Sequence, residues 1–67
     1  MKALLKVCDM RTIQDINKVK SAVANNEGVV ACEISKEKKE VSVIYDDYFV
    51  DVDKIIESIE NIGYTVI

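Results

Sequence analysis

The chain of 67 residues contains no histidine, no proline and only two glycines. An enzyme needs a nucleophile and a base, or a carboxylate pair in a pocket, so the lack of histidine argues against an enzyme, and we expect no wide cleft. The lack of proline and the scarcity of glycine argue against a linker or a disordered tail. Basic residues are also few. Nine lysines and arginines stand against twelve acidic residues, and the net charge of −3 argues against binding to nucleic acid.

Long apolar runs are missing as well. No run approaches the roughly 20 residues that span a bilayer, and the first residues do not form a signal peptide, so we expect a cytoplasmic protein without membrane insertion. We expect a single domain over residues 1–67, close to the lower size limit for an independent core. Two cysteines in a reducing compartment are expected to be free thiols.

Alternation of apolar and polar residues predicts four strands. We place them at residues 3–9, 29–35, 40–46 and 64–67. Thr12 and Asp51 are good N-caps for two helices, Asp15 completes a capping box with Thr12, and Gly63 closes the second helix. The first helix has an apolar stripe that begins at Ile13.

The order strand-helix-strand-strand-helix-strand predicts an α+β, ferredoxin-like βαββαβ fold. Right-handed crossovers place both helices on one face of a four-stranded antiparallel sheet, with the spatial order 4-1-3-2. The same periodicity predicts a core, and its expected members are Leu5, Val7, Ile16, Val19, Val23, Ile34, Val41, Val43, Ile55, Ile59 and Ile62.

Residues 7–15 read Val-Cys-Asp-Met-Arg-Thr-Ile-Gln-Asp. Three further segments follow, and their spacing along the chain is typical of one domain family. They are Gly28-Val29, the third strand, and the closing segment Ile55–Tyr64 with its Gly-Tyr pair. With these residues the chain resembles the heavy-metal-associated domain, the module of bacterial copper chaperones and of copper-pumping ATPases. That family has Gly-Met, one residue, and then two cysteines separated by two residues. In this chain Met10 is kept, Asp9 replaces the glycine, and Thr12 and Asp15 replace the cysteines.

The resemblance implies a site for Cu(I), a soft ion that prefers a pair of thiolates. The Cys-x-x-Cys motif is missing here, so we expect no metal at this degenerate loop, to which Tyr64 also belongs. We interpret Thr12 and Asp15 as helix-capping residues and Met10 as a buried anchor. Metal ligation by the Thr12 hydroxyl and the Asp15 carboxylate, with Asp9 as a second carboxylate, is the alternative, although so few oxygens make too small a set for Ca²⁺.

The two cysteines do not replace the missing pair in this interpretation. Alternation places Cys8 on the open face of the sheet and Cys32 toward the helices, too far apart for a disulfide or a shared ion. We interpret Cys32 as a small core residue. Cys8 is either an incidental surface thiol or a thiol ligand beside the loop.

We therefore expect a non-enzymatic, heavy-metal-associated-like domain that acts as a protein-interaction or regulatory module related to metal handling. The alternative is a weak or unconventional metal carrier, similar to a copper chaperone, that uses Cys8 to bind Cu(I) or another soft metal. A metal-transport ATPase or a related domain is the expected partner, and the chain is expected to be a monomer or a weak dimer. The acidic residues near the second helix are either a solvated face or a docking face.

Overall fold

Three antiparallel strands and two helices make up the fold, in a computed structural model that describes residues 1–67. The elements in chain order are β1 (Lys2–Lys6), α1 (Ile13–Ala24), β2 (Val29–Ser35), β3 (Glu40–Tyr45) and α2 (Val52–Asn61). The strands lie in the order β1-β3-β2, and both pairings are antiparallel. The predicted ferredoxin-like order of elements is confirmed as far as α2.

The predicted fourth strand is reduced to one antiparallel bridge between Val7 and Val66. Two hydrogen bonds flank it, from the Cys8 N–H to the Thr65 carbonyl (2.8 Å) and from the Ile67 N–H to the Lys6 carbonyl (2.9 Å). The pairing does not extend beyond Cys8, because Asp9 adopts a left-handed conformation (φ 71°), and the Tyr64 N–H donates to the Ile59 carbonyl at the end of α2. The four-stranded sheet is therefore not confirmed, although the bridge lies beside β1, where that strand was expected.

Eleven side chains form one buried core between the sheet and the helices. Eight of the eleven predicted core residues are among them. Ile16 and Ile34 are half-buried. Ile62 is 42% exposed, and the prediction that places it in the core is wrong, because α2 ends at Asn61 and Ile62 leaves the buried face of the helix. The core also contains Met10, Tyr45 and Val50.

Both helices cover the same face of the sheet. On β1 and β3, Leu5, Val41 and Val43 face the helices and are buried, whereas Leu4 and Ile44 lie on the opposite, open face and are 63% and 45% exposed. The pairing of β2 with β3 is shifted by a bulge between Val29 and Ala31. Ile13 is 71% exposed, so the apolar stripe of α1 does not include its first residue.

Capping residues and left-handed residues fix where the helices begin and end. Asp51 accepts a hydrogen bond from the Lys54 N–H (2.8 Å) as the N-cap of α2. Gly28 (φ 98°) and Gly63 (φ 97°) follow the two helices in the left-handed conformation that glycine adopts without strain. Neither helix has the length and apolarity required to cross a membrane.

Candidate functional site

The β1–α1 loop (residues 7–12) is the place where the sequence predicts a degenerate metal site. Asp9 adopts a left-handed conformation (φ 71°), which explains why a glycine suits this position. Its carboxylate pairs with the exposed Arg11 guanidinium at 3.3 Å. Met10 is only 4% exposed, so its predicted role as a buried anchor beneath the loop is confirmed. The loop is therefore shaped by Asp9 and held down by Met10.

Thr12 and Asp15 form the predicted capping box at the start of α1. The Asp15 N–H donates to the Thr12 Oγ1 (3.1 Å), and the Thr12 N–H donates to the Asp15 Oδ2 (3.0 Å). The Arg11 N–H donates to the same carboxylate oxygen at 3.0 Å. The two residues at the cysteine positions thus satisfy backbone N–H groups that the first turn of a helix leaves without partners.

The second oxygen of Asp15 is bound from the other end of the chain. The Tyr64 phenol donates to the Asp15 Oδ1 at 2.5 Å, across 49 residues of sequence. The sequence did not predict this contact. The capping motif already explains Asp15, and nothing in the Gly-Tyr pair indicates which residue Tyr64 would contact. The side chain of Asp15 therefore accepts three hydrogen bonds and joins the loop, α1 and the C-terminal segment.

These hydrogen bonds change the acidity of both partners. The Tyr64 hydroxyl, followed by the backbone N–H groups of Arg11 and Thr12, holds the pKa of Asp15 well below its ordinary value of 3.8. The same hydrogen bond to Asp15, with a smaller contribution from burial, raises the pKa of Tyr64. At neutral pH the pair is thus a carboxylate and a neutral phenol.

The two cysteines lie apart, and both are free thiols. Cys8 follows β1 in the loop, and its N–H donates to the Thr65 carbonyl, so the pairing beside Val7 and Val66 reaches this residue. Val7 is buried like Leu5, and the predicted place of Cys8 on the open face of the sheet stays a prediction. Cys8 is half-buried beside the loop.

Cys32 faces the helices, as predicted, because it is paired with the fully buried Val43. Burial raises the pKa of its thiol, and the nearby Lys20 on α1 offsets part of this effect. Val43 is paired on its other side with Ala3, five residues before Cys8. At about 3.3 Å per residue, this offset alone places the two thiols much farther apart than a disulfide allows.

The donor atoms of the loop do not fit a soft metal ion. Cu(I) prefers two thiolates, and the loop offers one thiol, that of Cys8. The Thr12 hydroxyl and the Asp15 carboxylate are hard donors, and both are engaged in hydrogen bonds. No group of three or more cysteine, aspartate or glutamate side chains in the structure is close enough to hold a metal ion.

Comparison with known proteins gives consistent matches. The heavy-metal-associated domain family matches residues 16–65, a range that begins directly after Asp15. The copper chaperone CopZ of Staphylococcus haemolyticus is 42% identical over 50 residues, which are 75% of this chain and 74% of that protein. A solved CopZ metallochaperone covers 100% of both chains with a TM-score of 0.97 and 34% identity. A copper-binding domain of a P-type ATPase gives a TM-score of 0.94 and 26% identity, over 98% of this chain and 89% of that one.

Proposed function

Because the chain belongs to the heavy-metal-associated domain family, we propose that it is a non-enzymatic member in which a hydrogen-bonded helix cap has replaced the metal site. Its role is that of a protein-interaction or regulatory module in metal handling. The observation that carries this proposal is the Asp15 carboxylate, whose two oxygens accept three hydrogen bonds within the protein. In this arrangement the loop keeps its shape without a metal ion.

Relatives of the chain suggest the class of partner. The similar structures include a domain of a P-type ATPase and a metallochaperone. We propose that the partner is a metal-transport ATPase or a related domain, that the protein acts in the cytoplasm, and that it is a monomer or a weak dimer. In this role the module occupies or regulates a docking site without delivering metal.

A second candidate function is that of a weak Cu(I) carrier. The observation that favours it is the half-buried thiol of Cys8, which lies within the loop. One thiolate at this place provides half of the usual soft ligand set, and a second chain with the same thiol completes it. The two candidates differ in whether Cu(I) binding is tight and whether it depends on Cys8.

Competition against a strong Cu(I) chelator under reducing conditions tests the proposal. The first sample is the unchanged protein, and the second carries Cys8→Ser. The third carries Thr12→Cys with Asp15→Cys, which restores two thiols at the start of α1, where the helix N-terminus favours thiolates. We expect the restored pair to bind Cu(I) at least about a hundredfold more tightly than the unchanged protein.

Each outcome of this competition has a clear meaning. Tight binding by the unchanged protein that disappears in Cys8→Ser supports the carrier function and overturns the proposal. Tight binding that survives Cys8→Ser shows that the donor atoms of the loop have been misread. Thermal melts of the same samples are the control for folding. The restored pair loses the N-cap, which typically costs about 1 kcal/mol. With Cu(I) it recovers this loss, because the folded state holds the two thiols in place and binds the ion more tightly than the unfolded chain does.

A further inference from the structure

The turn between β3 and α2 exposes two aromatic rings. Tyr48 is 84% exposed and Phe49 is 56% exposed. Their rings pack edge to face, with centroids 5.0 Å apart and planes at 81°. The other two aromatic residues are used elsewhere, Tyr45 in the core and Tyr64 at Asp15. We call residues 46–50 the aromatic tip.

Hydrogen bonds hold the aromatic tip in one conformation. The Tyr48 N–H donates to the Asp46 Oδ1 at 3.0 Å, and the Phe49 N–H donates to the Asp46 carbonyl at 3.1 Å. The Asp46 N–H donates to the Gly28 carbonyl at 2.7 Å, which attaches the turn to the start of β2. Gly28 lies so close that an added Cβ would be 2.7 Å from the Phe49 Cβ. The backbone that carries the two rings is thus preorganised, which lowers the entropic cost of binding.

The negative charge of the protein is concentrated at this turn and the helix that follows. Residues 46–57 contain five carboxylates and one lysine, a net charge of −4. The rest of the chain contains eight basic and seven acidic residues, so the whole negative excess of the molecule is located here. A shallow groove beside Phe49 runs between these charges, and its lining residues are Phe49, Val50, Asp51, Asp53, Lys54 and Glu57.

The aromatic tip lies at the opposite end of the sheet from the β1–α1 loop. The tip follows Tyr45, whose backbone is hydrogen-bonded to Met1, at the start of β1. The loop follows the other end of β1, where Lys6 is paired with Glu40. A ligand at the tip therefore does not compete with a ligand at the loop.

We infer that the aromatic tip is a docking site for a basic segment of a partner protein that carries lysine or arginine beside an apolar side chain. Exposed tyrosine and phenylalanine rings attract such cations through their faces, and aromatic residues dominate the energy of many interfaces. The surrounding carboxylates select a basic partner and speed its approach. The inference rests on the proposed role as an interaction module and assigns a surface to it.

An NMR titration of the isotopically labelled, metal-free protein tests this inference. The probe is a synthetic hexapeptide of alternating lysine and leucine, and the matched probe has glutamate in place of lysine. We expect shifts confined to residues around the aromatic tip, a dissociation constant of about 1 mM or tighter, and at least threefold weaker binding at high salt. The glutamate peptide is expected to cause no shifts at the tip.

Variants separate the aromatic contribution from the charges. Tyr48→Ser with Phe49→Ser is expected to weaken binding at least about fivefold, as is typical when aromatic anchors are removed. The control Ile67→Ser removes an equally exposed apolar side chain (76%) at the other end of the sheet and is expected to change nothing. Asp47→Asn with Asp53→Asn, which leaves the N-cap Asp51 in place, is expected to reduce the salt dependence. Amide dispersion verifies that each variant is folded.

Several results would overturn the inference. They are no shifts with 5 mM lysine peptide, shifts spread over the whole surface, or unchanged binding by the aromatic double variant. Shifts at the tip with phosphatidylcholine vesicles, but not with the lysine peptide, would identify a lipid-facing tip and would also overturn it. Because the titration uses metal-free protein, its result is independent of the copper competition, and failure of either experiment leaves the other interpretable.

Discussion

The Asp15 carboxylate joins the start of α1 to the C-terminal segment, 49 residues away in sequence. Asp15 accepts hydrogen bonds from Arg11, Thr12 and Tyr64. Each of these bonds is charge-assisted, and such bonds are roughly twice as strong as those between neutral groups. Asp15 is therefore expected to stabilise the loop only while it is ionised.

The first prediction is a dependence of stability on pH that belongs to Asp15. The pKa of Asp15 is lowered in the folded protein, so its contribution to stability is fully present above its unfolded pKa near 3.8 and is lost as the pH falls further toward the folded value. Asp15→Asn keeps the shape of the side chain and removes the charge. We expect the free energy of unfolding to be lower in Asp15→Asn than in the unchanged protein above about pH 5, and the difference to shrink below about pH 4.

Urea titrations at several pH values measure this difference. Tyr64→Phe is the matched control, because it removes one hydrogen bond and keeps the carboxylate with its two backbone donors. We expect Tyr64→Phe to lower the free energy of unfolding by less than Asp15→Asn does. This loss is also expected to shrink over the same acidic range. A difference that stays constant from pH 7 to pH 2 would show that the charge of Asp15 does not stabilise the fold.

The site was predictable from the sequence only where its contacts are local. Thr12 and Asp15 are three residues apart, a spacing that predicts a capping box by itself, and the structure confirms it. The contact between Asp15 and Tyr64 depends on the path of the chain after α2, which no local pattern encodes.

At the scale of elements, two glycines with nearly equal conformations differ in their surroundings. Gly28 (φ 98°) and Gly63 (φ 97°) both follow a helix. An added Cβ at Gly28 would meet Phe49, Asp46 and Val50 at 2.7 to 3.2 Å, whereas nothing lies within 4 Å of the corresponding position at Gly63. The pair therefore separates the cost of a strained backbone from the cost of a steric clash.

The second prediction uses this pair. Gly63→Ala is expected to lower the free energy of unfolding by about 1 kcal/mol, the cost of a left-handed alanine. Gly28→Ala is expected to cost about 1–3 kcal/mol more, because the aromatic tip and the start of β2 must also move apart. Urea unfolding followed by circular dichroism measures both variants. Equal losses would indicate that the turn yields easily and is not preorganised.

The sequence predicted the elements well within their interiors and less well at their ends. The predicted second strand has the bounds of β2, although the bulge between Val29 and Ala31 interrupts its alternation. Ile13 and Ile62 have the right spacing for a buried stripe but lie at the start of α1 and just beyond the end of α2, where neighbouring packing is lost. The last strand became a single bridge because the left-handed Asp9 ends the extended backbone after Cys8.

At the scale of the whole molecule, one small core carries the stability. Eleven buried residues stabilise a chain of 67 residues, and a domain of this size buries only about 60% of the surface that its unfolded chain exposes. Seven of these side chains are almost completely buried, and Ile55 and Ile59 are the largest of them. The free-energy cost of a single cavity in this core is therefore large relative to the total stability.

The third prediction compares two isoleucines on this basis. Ile59→Ala is expected to lower the free energy of unfolding by about 3 kcal/mol, since Ile59 is completely buried. Ile13→Ala, at a residue that is 71% exposed, is expected to cost less than about 1 kcal/mol. Urea unfolding at 25 °C tests both. A loss below about 1 kcal/mol for Ile59→Ala would mean that the core closes around the missing atoms.

The bulge in β2 has a consequence for how the molecules behave when they are crowded together. β2 is the last strand on its side of the sheet, and Val30, at the bulge, is 74% exposed. A straight, apolar edge strand is a template on which a second molecule can add its own strand, and repeated addition produces aggregates. The bulge bends β2 and shifts the register of its free backbone N–H and C=O groups. The exposed Val30 thus lies at the part of this edge strand that is least able to pair with a strand of a second molecule.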